Sequence, residues 1–172
     1  MLVIRIKRCL ACKSCELGCA IAHSESGELF GAILEQPASR SRVRVAGDAG
    51  FAMPLQCRQC ETAPCMGVCP TKALNRSGVD DPIVLDHGLC IGCTWCVMAC
   101  PFGVISLDEQ RRAIVKCDQC FDLVQRGRLP ACVTACPSGA LTFQTSDDVS
   151  REKREACLVE FRRAAGQPGE AV

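Results

Sequence analysis

The sequence predicts an α+β fold in which short β-hairpins and short helices surround cysteine loops, with a helix at the C-terminal end. Cysteine supplies 17 of the 172 residues, and all but one of these fall into four groups of four. The segments between the groups are short apolar runs interrupted by Gly, Asp and Pro, which is typical of strands and turns. The rings of 6 Phe and 1 Trp are too few to fill the interior, so another component must do so.

The cysteine groups form an internal repeat that organises the chain. In sequence order, quartets one to four are Cys9, Cys12, Cys15 and Cys19; Cys57, Cys60, Cys65 and Cys69; Cys90, Cys93, Cys96 and Cys100; and Cys117, Cys120, Cys132 and Cys136. Pro70, Pro101 and Pro137 directly follow quartets two, three and four, and each ends the preceding turn. Ala20 stands at that place after quartet one, which alters the exit of the chain.

The predicted strands lie between and around the quartets. They cover residues 2–6, 41–45, 83–85, 103–107, 113–116 and 141–143, with 108–111 as the turn of a hairpin. Pairing of the first and last strands would bring quartets one and four together. Residues 24–52 lack cysteine and are predicted to be an insertion. From residue 146, a cap-like start and a loosely helical period predict a surface helix docked by apolar Val149, Leu158, Phe161 and Ala165.

The spacing of the cysteines favours iron-sulfur clusters. Three thiolates at spacing two and two wrap one loop around three corners of a cube, and a fourth about 5.4 Å further along a helix suits a neighbouring cube. Zinc prefers two separated cysteine pairs, which quartet four alone would fit, so a zinc-stabilised interaction module is the alternative of another class. Disulfides belong to oxidising compartments and are disfavoured for a cytosolic protein.

The quartets resemble those of the four-cluster, polyferredoxin-like electron-transfer subunits of bacterial and archaeal oxidoreductases. The resemblance rests on CKSCELGCAIAHS at 12–24, CRQCETAPCMGVCPTKAL at 57–74, CIGCTWCVMACPFGVI at 90–105, CDQC at 117–120 and PACVTACPSGAL at 130–141. The wider gaps inside quartets two and four belong to that family's pattern. Its members include the iron-sulfur subunits of formate dehydrogenases, dimethyl sulfoxide reductase, hydrogenases and carbon monoxide dehydrogenase.

The resemblance implies two ferredoxin-like modules and four 4Fe-4S clusters whose ligands are exchanged between quartets. The implied ligand sets are Cys9, Cys12, Cys15 and Cys136; Cys117, Cys120, Cys132 and Cys19; Cys57, Cys60, Cys65 and Cys100; and Cys90, Cys93, Cys96 and Cys69. Residues 1–23 with 108–145 would form an outer module, 53–107 an inner module, 24–52 the insertion, and 146–172 the C-terminal helix and tail.

The implied function is electron transfer, with no catalytic residue or substrate site in the chain itself. The expected partner is the catalytic subunit of a molybdenum or tungsten enzyme acting on formate or aldehyde. A flavin subunit or a ferredoxin would be the second redox partner, and self-association is a further hypothesis. The alternatives are a free, diffusible polyferredoxin shuttle and a subunit of a hydrogenase or a carbon monoxide dehydrogenase.

Residues outside the ligand sets carry secondary predictions. Cys157 is expected to be a small buried residue on the C-terminal helix. His23 and His87 have no carboxylate or cysteine at ligand spacing, so neither is expected to form a separate site, and Trp95 is expected to shield a cluster from water. Basic residues beside the ligands either are ordinary solvated charges or raise reduction potentials; they are Lys7, Arg8, Lys13, Arg58, Lys72 and Lys116.

Composition and charge argue against other classes of function. The 20 Lys and Arg are scattered and aromatic residues are few, which disfavours a nucleic-acid surface. The sequence has no recognisable secretory signal, no apolar run of membrane-spanning length and no glycine-rich phosphate loop, so we expect a cytoplasmic protein. The formal net charge is +1. Four clusters at roughly −2 each would bring the loaded protein to on the order of −7.

Overall fold

The computed structural model of the protein describes residues 1–48, 50–108 and 113–166. Within these ranges the strands are β1 (Leu2–Ile4), β2 (Arg44–Asp48), β3 (Phe51–Leu55), β4 (Leu74–Asn75), β5 (Val84–Leu85), β6 (Ser106–Leu107), β7 (Ile114–Val115) and β8 (Leu141–Phe143). The helices are α1 (Ser14–Ala22), α2 (Leu29–Leu34), α3 (Pro64–Gly67), α4 (Trp95–Ala99), α5 (Phe121–Gln125), α6 (Ala131–Thr134) and α7 (Ser146–Ala164). None of these helices is both long enough and apolar enough to span a bilayer.

The strands form separate two-stranded antiparallel sheets. β1 pairs with β8, with Leu2 opposite Phe143 and Ile4 opposite Leu141, which confirms the predicted pairing of the first and last strands. The other pairs are the local hairpins β2 with β3, β4 with β5, and β6 with β7. Short hairpins and short helices around the cysteine loops, followed by a long C-terminal helix, confirm the predicted α+β class.

Strand boundaries differ from the predicted ones where local sequence is ambiguous. β2 begins at Arg44 and pairs with β3, which is not among the predicted strands and contains Pro54. Every strand of a two-stranded sheet is an edge strand, so a proline can be accommodated there. β3 also runs across the predicted boundary between residues 52 and 53. Of the predicted turn at 108–111, residues 109–111 lie outside the described part of the chain.

Two apolar cores lie beside the cysteine loops. One contains Cys65, Leu74, Ile83, Cys96, Ile105 and Ile114, and therefore joins segments around quartets two and three. The other contains Cys15, Cys19, Val43, Cys132 and Leu141, and joins segments around quartets one and four. Cysteine side chains are thus part of both cores, which explains how a protein with few aromatic residues fills its interior.

Within the described residues, the contacts that anchor the C-terminal helix α7 lie at its beginning. Thr145 and Asp148 form a capping box, in which the Asp148 amide donates to the Thr145 hydroxyl and the Thr145 amide donates to the Asp148 carboxylate. Glu152 then accepts hydrogen bonds from Arg5 at 2.8 Å and from Gln144 at 2.5 Å. These contacts fix the first two turns of the helix against the strand pair β1 and β8.

Beyond Glu152 the helix does not pack on the described body of the protein. Leu158 is 53% exposed and Phe161 is 69% exposed, so the prediction that an apolar stripe docks the whole helix is wrong. Cys157 lies on the same free part of the helix and is exposed, so its predicted burial is also wrong. Helical periodicity predicts which residues share a face, but it does not tell whether another element covers that face.

Candidate functional site

All four quartets fold as the same local unit. The third cysteine of each quartet is the second residue of a short helix: Cys15 in α1, Cys65 in α3, Cys96 in α4 and Cys132 in α6. These four cysteines are buried. The wider gap of quartet two and the much wider gap of quartet four are absorbed before this helix, and the gap in quartet four contains α5. The repeat is therefore preserved in three dimensions even where the sequence spacing varies.

A left-handed backbone turn recurs at the same place in each quartet. The residue immediately before the second cysteine has a positive φ in all four loops: 54° at Ala11, 51° at Gln59, 67° at Gly92 and 56° at Gln119. For a residue other than glycine this conformation costs about 1–3 kcal/mol and persists only where the surroundings impose it. The turn directs backbone amides toward sulfur, since the amides of Gln59 and Gln119 lie 3.5 Å and 3.4 Å from the sulfurs of Cys57 and Cys117.

The first group of thiols, group A, comprises Cys9, Cys12 and Cys15 of quartet one with Cys136, the last cysteine of quartet four. Burial raises the pKa of the Cys15 thiol to about 11, and the neighbouring Cys136 and Cys12 thiols add to that increase. Hydrogen bonds from Ser14 lower the pKa of the exposed Cys12 thiol, and the neighbouring Cys136 partly opposes this decrease. Cys9 is half-buried at the start of the same loop, directly after the 3₁₀ turn Ile6–Arg8.

Group B comprises Cys117, Cys120 and Cys132 of quartet four with Cys19, the last cysteine of quartet one. Burial raises the pKa of Cys117 to about 12 and that of Cys120 to about 11, and in both cases Cys19 is a nearby thiol that adds to the increase. The pKa of Cys132 is raised further, first by burial and then by Cys117, Cys19 and Cys120. Cys19 is different, because hydrogen bonds from His23 and the Arg42 amide outweigh burial and lower its pKa.

Groups C and D line two small cavities, each of which draws cysteines from both quartets two and three. The cavity of group C is lined by Cys57, Cys60, Cys65 and Cys100. The cavity of group D is lined by Cys69, Cys90, Cys93 and Cys96. Ile91 and Thr94 contribute to the wall of group D, whereas Trp95 does not line this cavity and is 54% exposed, so its shielding role stays a prediction.

Electrostatic influences on the thiol pKa values link the groups in one order. Cys15 of group A adds to the increase in the pKa of Cys132 in group B. Cys57 of group C has the same effect on Cys117 of group B, and Cys65 of group C has it on Cys96 of group D. These links follow the order A, B, C, D, which we call the file, and the Gln59 side chain joins the loops of groups C and B by donating to the Cys117 carbonyl at 3.0 Å.

The donor chemistry of these groups fits iron-sulfur clusters. None of the seventeen cysteines, all of which lie in the described ranges, forms a disulfide. Four thiols line each of the cavities C and D, and thiolate donors of this kind select iron-sulfur centres or zinc. Burial raises the pKa of most of the inner thiols, so in a metal-free site they would resist ionisation and a cationic metal would favour their thiolate form.

A polar cluster beside group B gives His23 a carboxylate and a cysteine as neighbours, which its sequence spacing did not predict. The Nε2 atom of His23 lies 3.2 Å from Oδ1 of Asp118, and its Nδ1 atom lies 3.7 Å from the sulfur of Cys19. Arg42 donates to the other Asp118 oxygen at 2.6 Å, and the Cys120 amide donates to Oδ1 at 2.9 Å. Sequence spacing missed this cluster because Asp118 is 95 residues away from His23.

The state of His23 follows from this cluster. Burial opposes the charged imidazole, but the hydrogen bonds to Asp118 and Cys19 outweigh it and raise the His23 pKa to about 9. Burial likewise opposes the Asp118 carboxylate, but His23 and Arg42 hold the pKa of Asp118 well below its usual range. The cluster ties α1 and the insertion to the loop of quartet four. His87, in contrast, is exposed.

The basic residues beside the quartets divide into one buried side chain and five exposed ones. The exposed residues are Lys7, Arg8, Lys13, Arg58 and Lys72. Lys116 is 4% exposed and donates to two backbone carbonyls. Arg76 is a further basic neighbour, because it donates to the carbonyls of Gln59 at 3.2 Å and Cys60 at 2.9 Å. Nothing in the sequence around Arg76 marks it as a neighbour of a cysteine loop.

Comparison with known proteins identifies the family. Residues 49–146, more than half of the sequence, match the family described as 4Fe-4S dicluster domain. This protein belongs to the 4Fe-4S dicluster family. As a member of this family it is an iron-sulfur protein of the electron-transfer type, which confirms the predicted resemblance and the predicted class of cofactor.

Proteins similar to this 4Fe-4S dicluster protein include an iron-sulfur protein and components of oxidoreductases. An iron-sulfur protein of Rhodospirillum rubrum is 42% identical over 168 residues, which cover 91% of this protein and 87% of the relative. The thiosulfate reductase electron transfer subunit PhsB of Salmonella typhi is 37% identical over 144 residues, covering 83% and 73%. Hydrogenase-4 component A of Escherichia coli (strain K12) is 32% identical over 184 residues, covering 86% and 83%. Two of these three are components of oxidoreductases.

Proposed function

We propose that groups A to D each hold one 4Fe-4S cluster through the exchanged ligand sets, and that the protein relays electrons along this file. The observation that carries the proposal is that two cavities are each lined by cysteines of both quartets two and three. For groups A and B the support is electrostatic, because Cys136 influences the pKa values of Cys12 and Cys15, and Cys19 influences that of Cys132. Such exchange brings successive groups next to one another, which a set of self-contained quartets would not do.

The protein's own contribution is to hold, order and insulate these centres. Bound 4Fe-4S clusters supply one-electron oxidation and reduction. The third cysteine of each quartet is buried on its helix, which fixes the sulfur and keeps water away from it. Backbone amides that donate to the sulfurs of Cys57, Cys117 and Cys19 stabilise negative charge at these atoms. We assign no substrate site to the chain.

The proposed file is built on two modules. The outer module comprises residues 1–23 and 108–145, the inner module 53–107, with 24–52 as an insertion and 146–172 as the C-terminal helix and tail. The apolar core around quartets one and four supports the outer module. The core around quartets two and three supports the inner module but also takes in Ile114 from the range 108–145, so the two modules share the hairpin of β6 and β7. Since seventeen unpaired thiols are maintained in a reducing compartment, we place the protein in the cytoplasm.

The proposed partner is the catalytic subunit of an oxidoreductase. The resemblance to formate dehydrogenase subunits favours a molybdenum or tungsten enzyme acting on formate or aldehyde, with a flavin subunit or ferredoxin at the other end of the file. Native mass spectrometry of the complex, combined with metal analysis, tests this directly. Molybdenum or tungsten in the complex is the expected result. Nickel would point instead to a hydrogenase, and a lone protein after mild lysis to a diffusible shuttle.

The exchanged ligand sets can be tested by matching spectral changes between single variants. If ligands are exchanged, Cys136→Ala and Cys12→Ala perturb the same electron paramagnetic resonance signal, whereas Cys19→Ala perturbs the signal that Cys120→Ala perturbs. Cys157→Ala is the matched control and changes no signal, since Cys157 lies outside the groups and is exposed. A shared signal for Cys19→Ala and Cys12→Ala would show self-contained quartets and overturn the exchange.

A further inference from the structure

Lys116 is a cation in the interior of the protein. It lies between β7 and Cys117, and only 4% of its surface is exposed. Its ammonium group donates to the carbonyl oxygen of Ile83 at 2.7 Å and to that of Cys117 at 2.8 Å. Burial of an ammonium is costly unless hydrogen bonds and an opposite charge compensate for the lost hydration.

The described residues supply the hydrogen bonds but no opposite charge. Across 1–48, 50–108 and 113–166, no carboxylate forms an ion pair with Lys116. Asp118 lies two residues away in the sequence, but its oxygens are bonded to Arg42 and His23. The two carbonyl groups carry only partial charges, so a negatively charged group that binds nearby would supply the compensation that they lack.

The position of Lys116 is the junction between groups B and C. The Gln59 side chain, in the loop of quartet two, donates to the same Cys117 carbonyl at 3.0 Å. Its carbonyl oxygen accepts from the Ile83 amide at 2.8 Å. Gln59 and Lys116 therefore bind the same two residues and clamp the loops of quartets two and four together.

The Lys116 ammonium contacts both sides of this junction. It binds the carbonyl oxygen of Ile83, a residue that lines the cavity of group C together with Cys57 and Cys65. Cys117, the next residue after Lys116, belongs to group B. Among the basic residues that neighbour the quartets in sequence, only Lys116 is buried between two groups, since the five others are exposed.

We propose that Lys116 is the charge-compensating residue of the relay, and that its buried ammonium raises the reduction potentials of the two centres held by groups B and C. This inference rests on the proposed function. Each bound centre with its thiolates carries roughly −2, so the two middle members of the file are repelled by anions on both sides. A cation placed between them favours the addition of an electron, and the effect is strong because the site is shielded from water.

The experiment compares neutral variants of Lys116 with an exposed control in the whole, anaerobically prepared protein. Lys116→Met keeps a long apolar stem and removes the charge, and Lys116→Gln keeps a hydrogen-bond donor without charge. Arg58→Met removes an equal charge beside Cys57 of group C, but from an exposed position. Redox titration monitored by electron paramagnetic resonance gives the potential of each centre.

For both neutral variants of Lys116 we expect at least a tenfold decrease in the equilibrium constant for one-electron reduction of the centres in groups B and C. For a one-electron couple this decrease corresponds to about 59 mV. The centres of groups A and D, and all centres of Arg58→Met, should change by less than about threefold, because exposed charges are screened by solvent. Lys116→Arg retains the charge and should keep the potentials of the unmodified protein.

The outcomes separate this inference from the proposed function. Absence of reducible iron centres in the unmodified protein would overturn the proposed function itself. Unchanged potentials in both neutral variants, with full iron content, would overturn only the role of Lys116. If the neutral variants lose the iron of groups B and C while Lys116→Arg keeps it, compensation of charge is needed for assembly as well, which supports the inference. Loss of iron in Lys116→Arg too would indicate a packing requirement and contradict it.

Discussion

Gly18 offers the sharpest test of how helix packing sets the cysteine groups. It lies in α1 between Cys15 and Cys19, where the helix crosses α6. A β-carbon added at Gly18 would lie 2.6 Å from the β-carbon of Ala135 and 3.3 Å from the carbonyl oxygen of Ala131. Because carbon atoms in contact normally lie about 3.5–4.0 Å apart, Gly18→Ala must move α1 and α6 apart by about 1 Å.

The movement has a small effect on the stability of the polypeptide and a large one on the metal sites. Alanine favours a helix over glycine by about 1 kcal/mol, while overpacking costs about 1–3 kcal/mol, so the net destabilisation is about 0–2 kcal/mol. Metal-ligand distances, however, tolerate only about 0.2 Å. Since α1 and α6 carry Cys15, Cys19 and Cys132, the separation should disrupt groups A and B and leave groups C and D intact.

The assay for Gly18→Ala is iron content per protein molecule, together with electron paramagnetic resonance of the reduced protein. Iron should fall by about half, since two of four proposed centres are lost, with the signals of groups C and D retained. Gly67→Ala is the matched control, because Gly67 lies in the corresponding helix α3 and an added β-carbon there meets no atom within 4 Å. Equal iron content and equal thermal stability in the two variants would refute the reasoning.

Three further changes probe the rest of the structure. Leu141→Ala removes a fully buried side chain from β8 and should cost about 2–5 kcal/mol in anaerobic denaturant unfolding, whereas an unchanged midpoint would contradict its core position. Asp118→Asn removes the 2.6 Å ion pair with Arg42, worth about 1.5–3 kcal/mol as a charged hydrogen bond, and should speed iron release to a chelator. If release keeps its original rate, the cluster beside group B has no role in retaining metal. Cys157→Ser should abolish labelling by a thiol reagent under anaerobic conditions with iron content unchanged; persistent labelling would mean that a cysteine of the four groups is free.

The sequence predicted those features of the fold that depend on spacing and local turns. The prolines after three quartets and the hairpin residues marked where elements begin and end, and the strands at 2–6 and 141–143 were matched correctly to each other. The strand at Phe51–Leu55 is not among the predicted strands. It contains Pro54, which argues against a central strand but is accommodated here because both strands of a two-stranded sheet are edge strands.

Features that depend on long-range contacts could not be read from the sequence. The partner of His23 is Asp118, far along the chain, and the burial of Lys116 depends on where Ile83 and Gln59 fold. The left-handed turns at Ala11, Gln59 and Gln119 carry no glycine to reveal them. For α7 the error was of the opposite kind, since a helical pattern was taken to imply a partner surface that the described structure does not provide.

The most direct measurement is native mass spectrometry of the anaerobically isolated protein, with iron and acid-labile sulfide determined on the same sample. Four 4Fe-4S centres require about sixteen irons and about sixteen sulfides per molecule, in a brown protein that bleaches when dithionite reduces it. A colourless protein that carries zinc, or one with about eight irons, would contradict the assignment of a 4Fe-4S centre to each of the groups A to D.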